Sequence, residues 1–249
     1  MAPLFQRGKC FASCIWVIQK MSKLQSQFSK GGGKRGEKKE GIMAGKVILI
    51  RHGDTGSAYR GRFIGSTDVP LAPEGRLQAA RLAVPLKREA AVKYLASPAR
   101  RTMETARTAL AWCTLTPESD PDLREIAFGV WEGKTFAEIS ASDPHVVDAW
   151  AAYQPDFTFP GGEGIAAFVK RIAAAGGRIA ADPAETVAVF THAGVIQALI
   201  CYYLGLDNRH YLFFDVKPAS ITTLALHANG RGVLTGFNDL CHLGDDCHG

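Results

Sequence analysis

The amino-acid sequence predicts an α/β protein, a three-layer α/β/α sandwich whose mostly parallel central sheet has crossover helices and an added edge. From Lys46 onward, short apolar runs alternate with segments of helical periodicity, which is typical of strands that feed crossover helices. The last two apolar runs are joined by a turn at Asn229 and Gly230, which indicates an antiparallel pair at one edge of the sheet. The 249 residues are 47% apolar and 21% charged, an ordinary composition for one globular domain.

Each strand is predicted from a short apolar run, and the longest helix from apolar residues three or four positions apart. The predicted strands are Lys46–Ile50, Lys93–Ala96, Thr186–Thr191, Ala219–His227 and Gly232–Phe237. The predicted helices are Ala99–Ala111, Glu163–Ala180 and Val195–Leu204. Ser97 and Pro98 mark the start of the first helix, and Gly205 marks the end of the last one.

Residues 1–45 differ from the rest in composition, and we expect them to form a flexible basic extension ahead of a domain at residues 46–243. Residues 1–46 contain ten Lys or Arg and two Glu, whereas the residues that follow contain 19 basic and 22 acidic groups. Because the basic excess lies in a Gly- and Lys-rich tract with no recognisable binding module, we expect no nucleic-acid binding. Met43 stands three residues before the first predicted strand, so the assigned start is open to question.

The apolar run and the cysteines of the chain bear on its location. Cys10–Ile18, the longest apolar run of the extension, has nine residues, which is too short to span a membrane, and no signal-peptide cleavage site follows it. Six sparse cysteines do not form a disulfide scaffold, so we expect a reducing compartment, the cytoplasm. We interpret Cys10 and Cys14 as two residues on one face of a helix. We interpret residues 244–249 as a mobile tail, and we predict no metal site in either segment. Near the C-terminus lie four residues of types that can bind a metal, for which we predict no such role: Cys241, His242, Cys247 and His248.

Two histidines and two or three arginines follow the predicted parallel strands, at the point where each strand ends. Arg51 and His52 come after the first strand, Arg100 and Arg101 lie in the first turn of the helix after the second, and His192 follows the third. Since ligands bind outside the carboxyl ends of parallel strands, we expect these side chains to converge on one crevice. The planar fork of arginine suits phosphate oxygens, whereas the same arginines would repel a metal cation. The sequence therefore predicts a phosphate site in which a histidine attacks phosphorus directly.

Four blocks of sequence resemble, in their order along the chain, the histidine phosphatase superfamily, to which the phosphoglycerate mutases also belong. The resemblance covers about residues 46–242 and implies that His52 is the nucleophile that becomes phosphorylated. It also implies that Arg51, Arg101 and His192 hold the transferring phosphoryl group, and that Glu125 donates a proton. The blocks are Arg51–Thr55, Ser97–Ala106, Leu123–Glu125 with Phe128–Gly133, and Thr191–Val195.

The identity of the proton donor comes from the resemblance alone. A leaving alkoxide needs a proton and an attacking water must lose one, so a single carboxyl can serve as acid in the first half of the reaction and as base in the second. The residues themselves leave this role open among Glu125, Glu132 and Glu163.

The resemblance also marks further positions and two departures. It implies that Thr55 and Ala193 contact the phosphate and that Arg62 lies on the substrate rim, where a solvated loop arginine is the alternative interpretation. Asp54 stands where the family usually has Glu or Gln, and Ala58 stands where mutase-like members have a phosphate-contacting Asn. One phosphate ligand is therefore expected to be missing, at a cost on the order of 100-fold in rate.

The spacing of the blocks favours the phosphatase branch of the family. Only 67 positions separate Glu125 from His192, which is short for a mutase. Phe159–Glu163 and Asn238–Leu243 are similar to the branch that includes α-ribazole phosphatase of cobalamin assembly and broad-specificity phosphatases. We expect a cofactor-free phosphomonoester hydrolase that acts on a small-molecule phosphate ester through a phosphohistidine. The alternatives are a phosphoglycerate mutase and a catalytically weak phosphate-ligand binding protein, and the oligomeric state stays open, a homodimer included.

Overall fold

A six-stranded mixed sheet forms the centre of the protein in a computed structural model that describes residues 43–89, 91, 93–154 and 156–244. The spatial order of the strands is β3-β2-β4-β1-β5-β6. The first four strands in this order are parallel, and β5 pairs antiparallel with both β1 and β6. The strands are β1 (Met43–Arg51), β2 (Lys93–Ala96), β3 (Glu118–Ser119), β4 (Thr186–Thr191), β5 (Ile221–His227) and β6 (Gly232–Asp239).

The helices of the described residues connect these strands. Thr135 begins one of them with a reciprocal cap, because its hydroxyl accepts from the Glu138 amide while the Glu138 carboxylate accepts from the Thr135 amide. Gly205 ends the last one in the left-handed conformation, with φ of 68°. The helices are α1 (Pro73–Arg81), α2 (Ala83–Glu89), α3 (Arg100–Ala109), α4 (Phe136–Ser142), α5 (Pro144–Ala151), α6 (Ile165–Ala180) and α7 (Ala193–Leu204).

Helices cover both faces of the sheet. Consecutive side chains of a strand point to opposite faces, so the apolar central strands need helices packed on both sides to bury them. Val47 and Leu49 of β1 join a core that includes residues of α6 and α7. Ile48 and Ile50 join a second core with residues of α2 and α3. The predicted three-layer α/β/α sandwich with a mostly parallel sheet and an added edge is therefore confirmed.

Element boundaries differ from the predicted ones by a few residues. β1 begins at Met43, ahead of Lys46, because the strand pairs with β5 on both sides of an irregularity between Met43 and Gly45. β5 begins after Ala219, whose φ of 56° is left-handed and cannot continue a strand. α6 begins after Gly164, whose extended backbone caps the helix.

Several sequence-based predictions concern residues outside the described ranges. The basic extension up to residue 42, Cys10, Cys14, Cys247 and His248 belong to this group, so the predicted domain limits stay predictions. Within the described ranges, no helix combines the length and apolarity that crossing a membrane requires. The same ranges contain no cluster of three or more His, Cys, Asp or Glu side chains suited to hold a metal ion.

Candidate active site

The predicted site residues converge because the strands that precede them are paired in register. Arg51 of β1 lies beside Thr191 of β4, so His52 and His192 leave the sheet at the same edge. Their rings make an edge-to-face contact, with centroids 5.3 Å apart. Ser97 leaves β2 at this edge as well, and its hydroxyl oxygen lies 2.8 Å from Nε2 of His192.

His52 is buried and is held in one tautomer by the backbone. Its Nδ1 donates a hydrogen bond of 2.8 Å to the Gly53 carbonyl, so the lone pair of the neutral ring is on Nε2. Desolvation, followed by the positive charges of Arg51 and Arg101, lowers the pKa of His52 well below its ordinary value. The ring is therefore neutral near pH 7, the form in which a histidine can act as a nucleophile.

Three buried nitrogens near His52 have no hydrogen-bond partner among the described residues: Nε of Arg51, Nε of Arg101 and Nδ1 of His192. Arg51 anchors its guanidinium by donating to the Val216 carbonyl. Buried donors without a partner are unfavourable, and arginine nitrogens are suited to an anion. An anionic ligand beside His52 would satisfy these nitrogens.

The carboxyl group of Glu125 lies at the first turn of α7. Its two oxygens accept from the amides of Gly194, at 3.0 Å, and Ile126, at 3.1 Å. A Cβ atom at position 194 would lie 2.5 Å from a Glu125 carboxyl oxygen, so the approach requires glycine. Desolvation nevertheless outweighs these amides and raises the pKa of Glu125, which favours a protonated carboxyl able to donate a proton.

Glu132, one of the three carboxylates left open by the sequence, holds a loop beside the site. Desolvation would raise its pKa, but the hydrogen bonds to the carboxylate outweigh it and hold the pKa below its ordinary value. Arg101 donates to two carbonyls of this loop, those of Thr67 at 3.0 Å and Gly65 at 2.9 Å. The carboxylate thus fixes the loop that orients Arg101. It accepts from the amides of Gly65, Ser66, Thr67 and Phe128 and from the hydroxyls of Ser66 and Thr67.

Glu163, the third of these carboxylates, forms an ion pair with Arg171. The Arg171 Nε lies 2.7 Å from a Glu163 carboxylate oxygen. The same guanidinium donates to the carbonyls of Asp122 and Arg124, both at 2.7 Å, and of Glu125 at 3.1 Å. Arg171 therefore fixes the backbone from which the Glu125 side chain extends. No signal near position 171 in the sequence indicates this role, because the three carbonyl groups that Arg171 contacts are more than 45 positions away.

This geometry agrees with the comparison to known proteins. The family model of the histidine phosphatase superfamily (branch 1) matches residues 47–239. The chain belongs to the histidine phosphatase superfamily. The predicted family membership is therefore confirmed.

Relatives of this histidine phosphatase have several names. This chain is 29% identical over 201 residues to phosphoserine phosphatase 1 of Hydrogenobacter thermophilus, and the match covers 80% of this chain and 95% of that protein. It is 32% identical over 208 residues to phosphoglycerate mutase-like protein 4 of Arabidopsis thaliana, covering 82% and 89%. The α-ribazole phosphatase structure from Shigella flexneri matches with a TM-score of 0.71 and 26% identity, covering 78% of this chain and 96% of that one.

The sequence also predicts that Thr55, Ala193 and Arg62 of this histidine phosphatase contact the substrate or its phosphate. Thr55 is half-buried and its hydroxyl has no hydrogen-bond partner in the described part of the chain. Ala193 opens α7, where its amide belongs to the first turn. Arg62 donates to the Gly133 carbonyl at 2.7 Å and forms an ion pair with Glu138 at 3.2 Å, so it ties two rim loops together. Their predicted roles in substrate binding stay predictions.

The departures at positions 54 and 58 lie in a turn beside the site. The carboxylate of Asp54 accepts from the Gly56 amide and pairs with Arg60 at 3.0 Å. Ala58 is exposed, and its carbonyl accepts from Nε of Arg62. The shorter Asp54 side chain therefore has a structural role in this turn.

Proposed function

We propose that this histidine phosphatase hydrolyses phosphate monoesters in two steps through a phosphohistidine on His52. The three unpartnered nitrogens of Arg51, Arg101 and His192 carry the proposal, because a phosphoryl group would satisfy them as donors. Nδ1 of the neutral His192 ring is a donor in the tautomer whose Nε2 accepts from the Ser97 hydroxyl. The relatives named as phosphatases support hydrolysis over the mutase and weak-binder alternatives.

The two steps follow from the protonation states of the site. In the first, Nε2 of His52 bonds to phosphorus while the ester P–O bond breaks, and the Glu125 carboxyl gives its proton to the leaving oxygen. In the second, the Glu125 carboxylate takes a proton from water, whose oxygen bonds to phosphorus as the P–N bond breaks. Both groups return to their starting states, and the proton on Nδ1 of His52 stays bonded to the Gly53 carbonyl throughout.

The proposal also covers the substrate, the cellular location and the oligomeric state. The resemblance to α-ribazole phosphatases, one of which shares the fold, supports a substrate from cobalamin assembly or a broad-specificity role. Among the described cysteines, Cys113 and Cys201 are free thiols, which fits action on a small phosphate ester in the reducing cytoplasm. A homodimer remains a prediction.

Release of inorganic phosphate after extensive dialysis against a chelator tests the proposal. We expect full activity towards p-nitrophenyl phosphate, because the arginine and histidine donors take the place of a Lewis acid. Activity lost to the chelator and restored by Mg²⁺ or Zn²⁺ would mean a metal-assisted hydrolase. Conversion of 3-phosphoglycerate to its isomer without phosphate release would instead identify a mutase, and phosphate binding without any turnover would identify a binding protein.

The contacts of Glu132 make it a positioning residue for Arg101. We expect Glu132→Gln to lower kcat/KM about 10- to 100-fold, because a small displacement of the phosphate-binding guanidinium is costly. The matched control is Glu118→Gln on β3, whose carboxylate pairs with Lys93 away from the site and should leave kcat/KM unchanged.

A double-mutant cycle separates this role from a general loss of structure. If Glu132 acts through Arg101, then Glu132→Gln should cause little further loss in an Arg101→Met background. Equal losses in both backgrounds would show that Glu132 acts independently of Arg101.

A further inference from the structure

A cavity of about 220 Å³ lies beside the carboxyl group of Glu125. Glu125, Ala193 and Gly194 line one end of it. Ala193 directly follows His192, and the Gly194 amide bonds to the Glu125 carboxyl at 3.0 Å. The cavity therefore begins at the carboxyl that, in the proposed reaction, gives its proton to the departing alcohol.

Aromatic rings form much of the wall of this cavity. Phe63 contacts Phe128 edge to face, with centroids 5.0 Å apart, and contacts Trp150 in the same manner at 5.9 Å. Such mutual contacts fix the rings and leave a preformed slot whose surfaces suit another aromatic ring. The rings that line it are those of Phe63, Phe128, Trp150, Tyr153, Phe168 and Tyr211.

The cavity offers no cationic partner for a carboxylate on a substrate. The side-chain amides of Gln197 and Asn208 also line it, and that of Gln197 already donates to the Phe214 carbonyl at 2.6 Å. Apart from Glu125, the described lining residues include no Asp, Glu, Lys, Arg or His. Burial raises the pKa of Tyr153 and Tyr211, so their hydroxyls stay neutral. A carboxylate that entered would lose its hydration without gaining an opposite charge, which is strongly unfavourable.

We propose that this cavity is the leaving-group subsite and that it takes an uncharged alcohol bearing an aromatic ring. Its volume exceeds the about 150 Å³ that accommodates benzene in an apolar protein cavity, so it has room for a ring and a short linker. The inference rests on the proposed function and narrows its substrate class. It separates this protein from enzymes specialised for phosphoserine or phosphoglycerate, whose alcohols carry a carboxylate.

A series of four alkyl phosphates tests the subsite in the wild-type enzyme. 2-Phenylethyl phosphate, ethyl phosphate, O-phosphoserine and 3-phosphoglycerate are compared by kcat/KM. We expect 2-phenylethyl phosphate to exceed each of the others by about 10- to 100-fold, the range that follows from burying one aromatic side group. No hydrolysis of any ester would sink the proposed function itself. Hydrolysis with equal kcat/KM for all four, or with preference for a carboxylate ester, would overturn the subsite alone.

Filling the cavity gives a second test. Val169 lies on α6, is half-buried and lines the cavity, so Val169→Trp would place an indole in it. We expect the ratio of kcat/KM for 2-phenylethyl phosphate to that for ethyl phosphate to fall about tenfold. Val84→Trp on α2, an exposed position, is the matched control and should leave this ratio unchanged. An unchanged ratio in Val169→Trp would contradict the proposal.

Inhibition by a free alcohol tests the same subsite without any substitution, should Val169→Trp not fold. We expect 2-phenylethanol to inhibit hydrolysis of ethyl phosphate, because it would occupy the subsite in the free enzyme and in the phosphohistidine form, and serine and ethanol not to inhibit at the same concentrations. Failure of 2-phenylethanol to inhibit up to its solubility limit would overturn the subsite.

Discussion

His52→Ala is expected to lower kcat by about a million-fold, the loss that follows removal of the nucleophile in comparable covalent sites. The variant keeps the arginines and the second histidine, so it should still bind phosphate. His145→Ala, an exposed position on α5, is the matched control and should keep wild-type turnover.

Trapping of the intermediate completes this test. Acid quenching of the wild-type enzyme during turnover should leave acid-labile phosphate on His52, and the variant should yield none. Near wild-type activity in His52→Ala, or acid-stable phosphate on another residue, would contradict the covalent scheme.

Glu125→Gln is expected to lower kcat/KM for an alkyl phosphate by about 100- to 10,000-fold, the usual contribution of a positioned proton donor. The loss should be much smaller for p-nitrophenyl phosphate, because its phenolate leaves without needing a proton. The two substrates, measured on one preparation, thus provide an internal control for misfolding. Equal losses with both substrates would show that Glu125 does not act as the acid.

The pH dependence of kcat/KM gives a second reading of the same variant. Activity needs neutral His52 and protonated Glu125, so it should fall below the pKa of His52 and above the pKa of Glu125. The pKa of His52 is lowered and that of Glu125 is raised. The enzyme should therefore stay active at lower pH and at higher pH than the ordinary pKa values of His and Glu would allow. The fall at high pH should disappear in Glu125→Gln for an alkyl phosphate, and its persistence would indicate another acid.

The sequence predicted those parts of the site that depend on strand ends. His52 and His192 follow strands whose apolar runs are recognisable, and the parallel arrangement of the sheet brings them together. Ser97 lies at the end of β2 and could have been included by the same argument, although its bond to His192 was not predicted. The short helix α4 also had a local signal, the Thr135 and Glu138 cap, which was missed.

The supporting contacts could not be predicted because they join distant segments through backbone carbonyls. Arg171 reaches the carbonyls of Asp122, Arg124 and Glu125, and Arg101 reaches those of a loop more than 30 positions away. Carbonyl groups occur at every residue, so no side-chain pattern marks which of them an arginine will bind. The sequence therefore left the proton donor open among three carboxylates, two of which the structure places in these supporting contacts.

The central position of β1 affects when the site can form during protein synthesis. Its neighbours in the sheet are β4, whose Thr191 pairs with Arg51 from 140 positions later, and β5, which ends at His227. A nascent chain therefore presents His52 to the cell long before the strands that flank it have been translated. Pairing over such separations is slow and leaves β1 with two unpaired edges in the meantime. The strand that carries the nucleophile is therefore open to wrong pairing until β4 and β5 have both been synthesised.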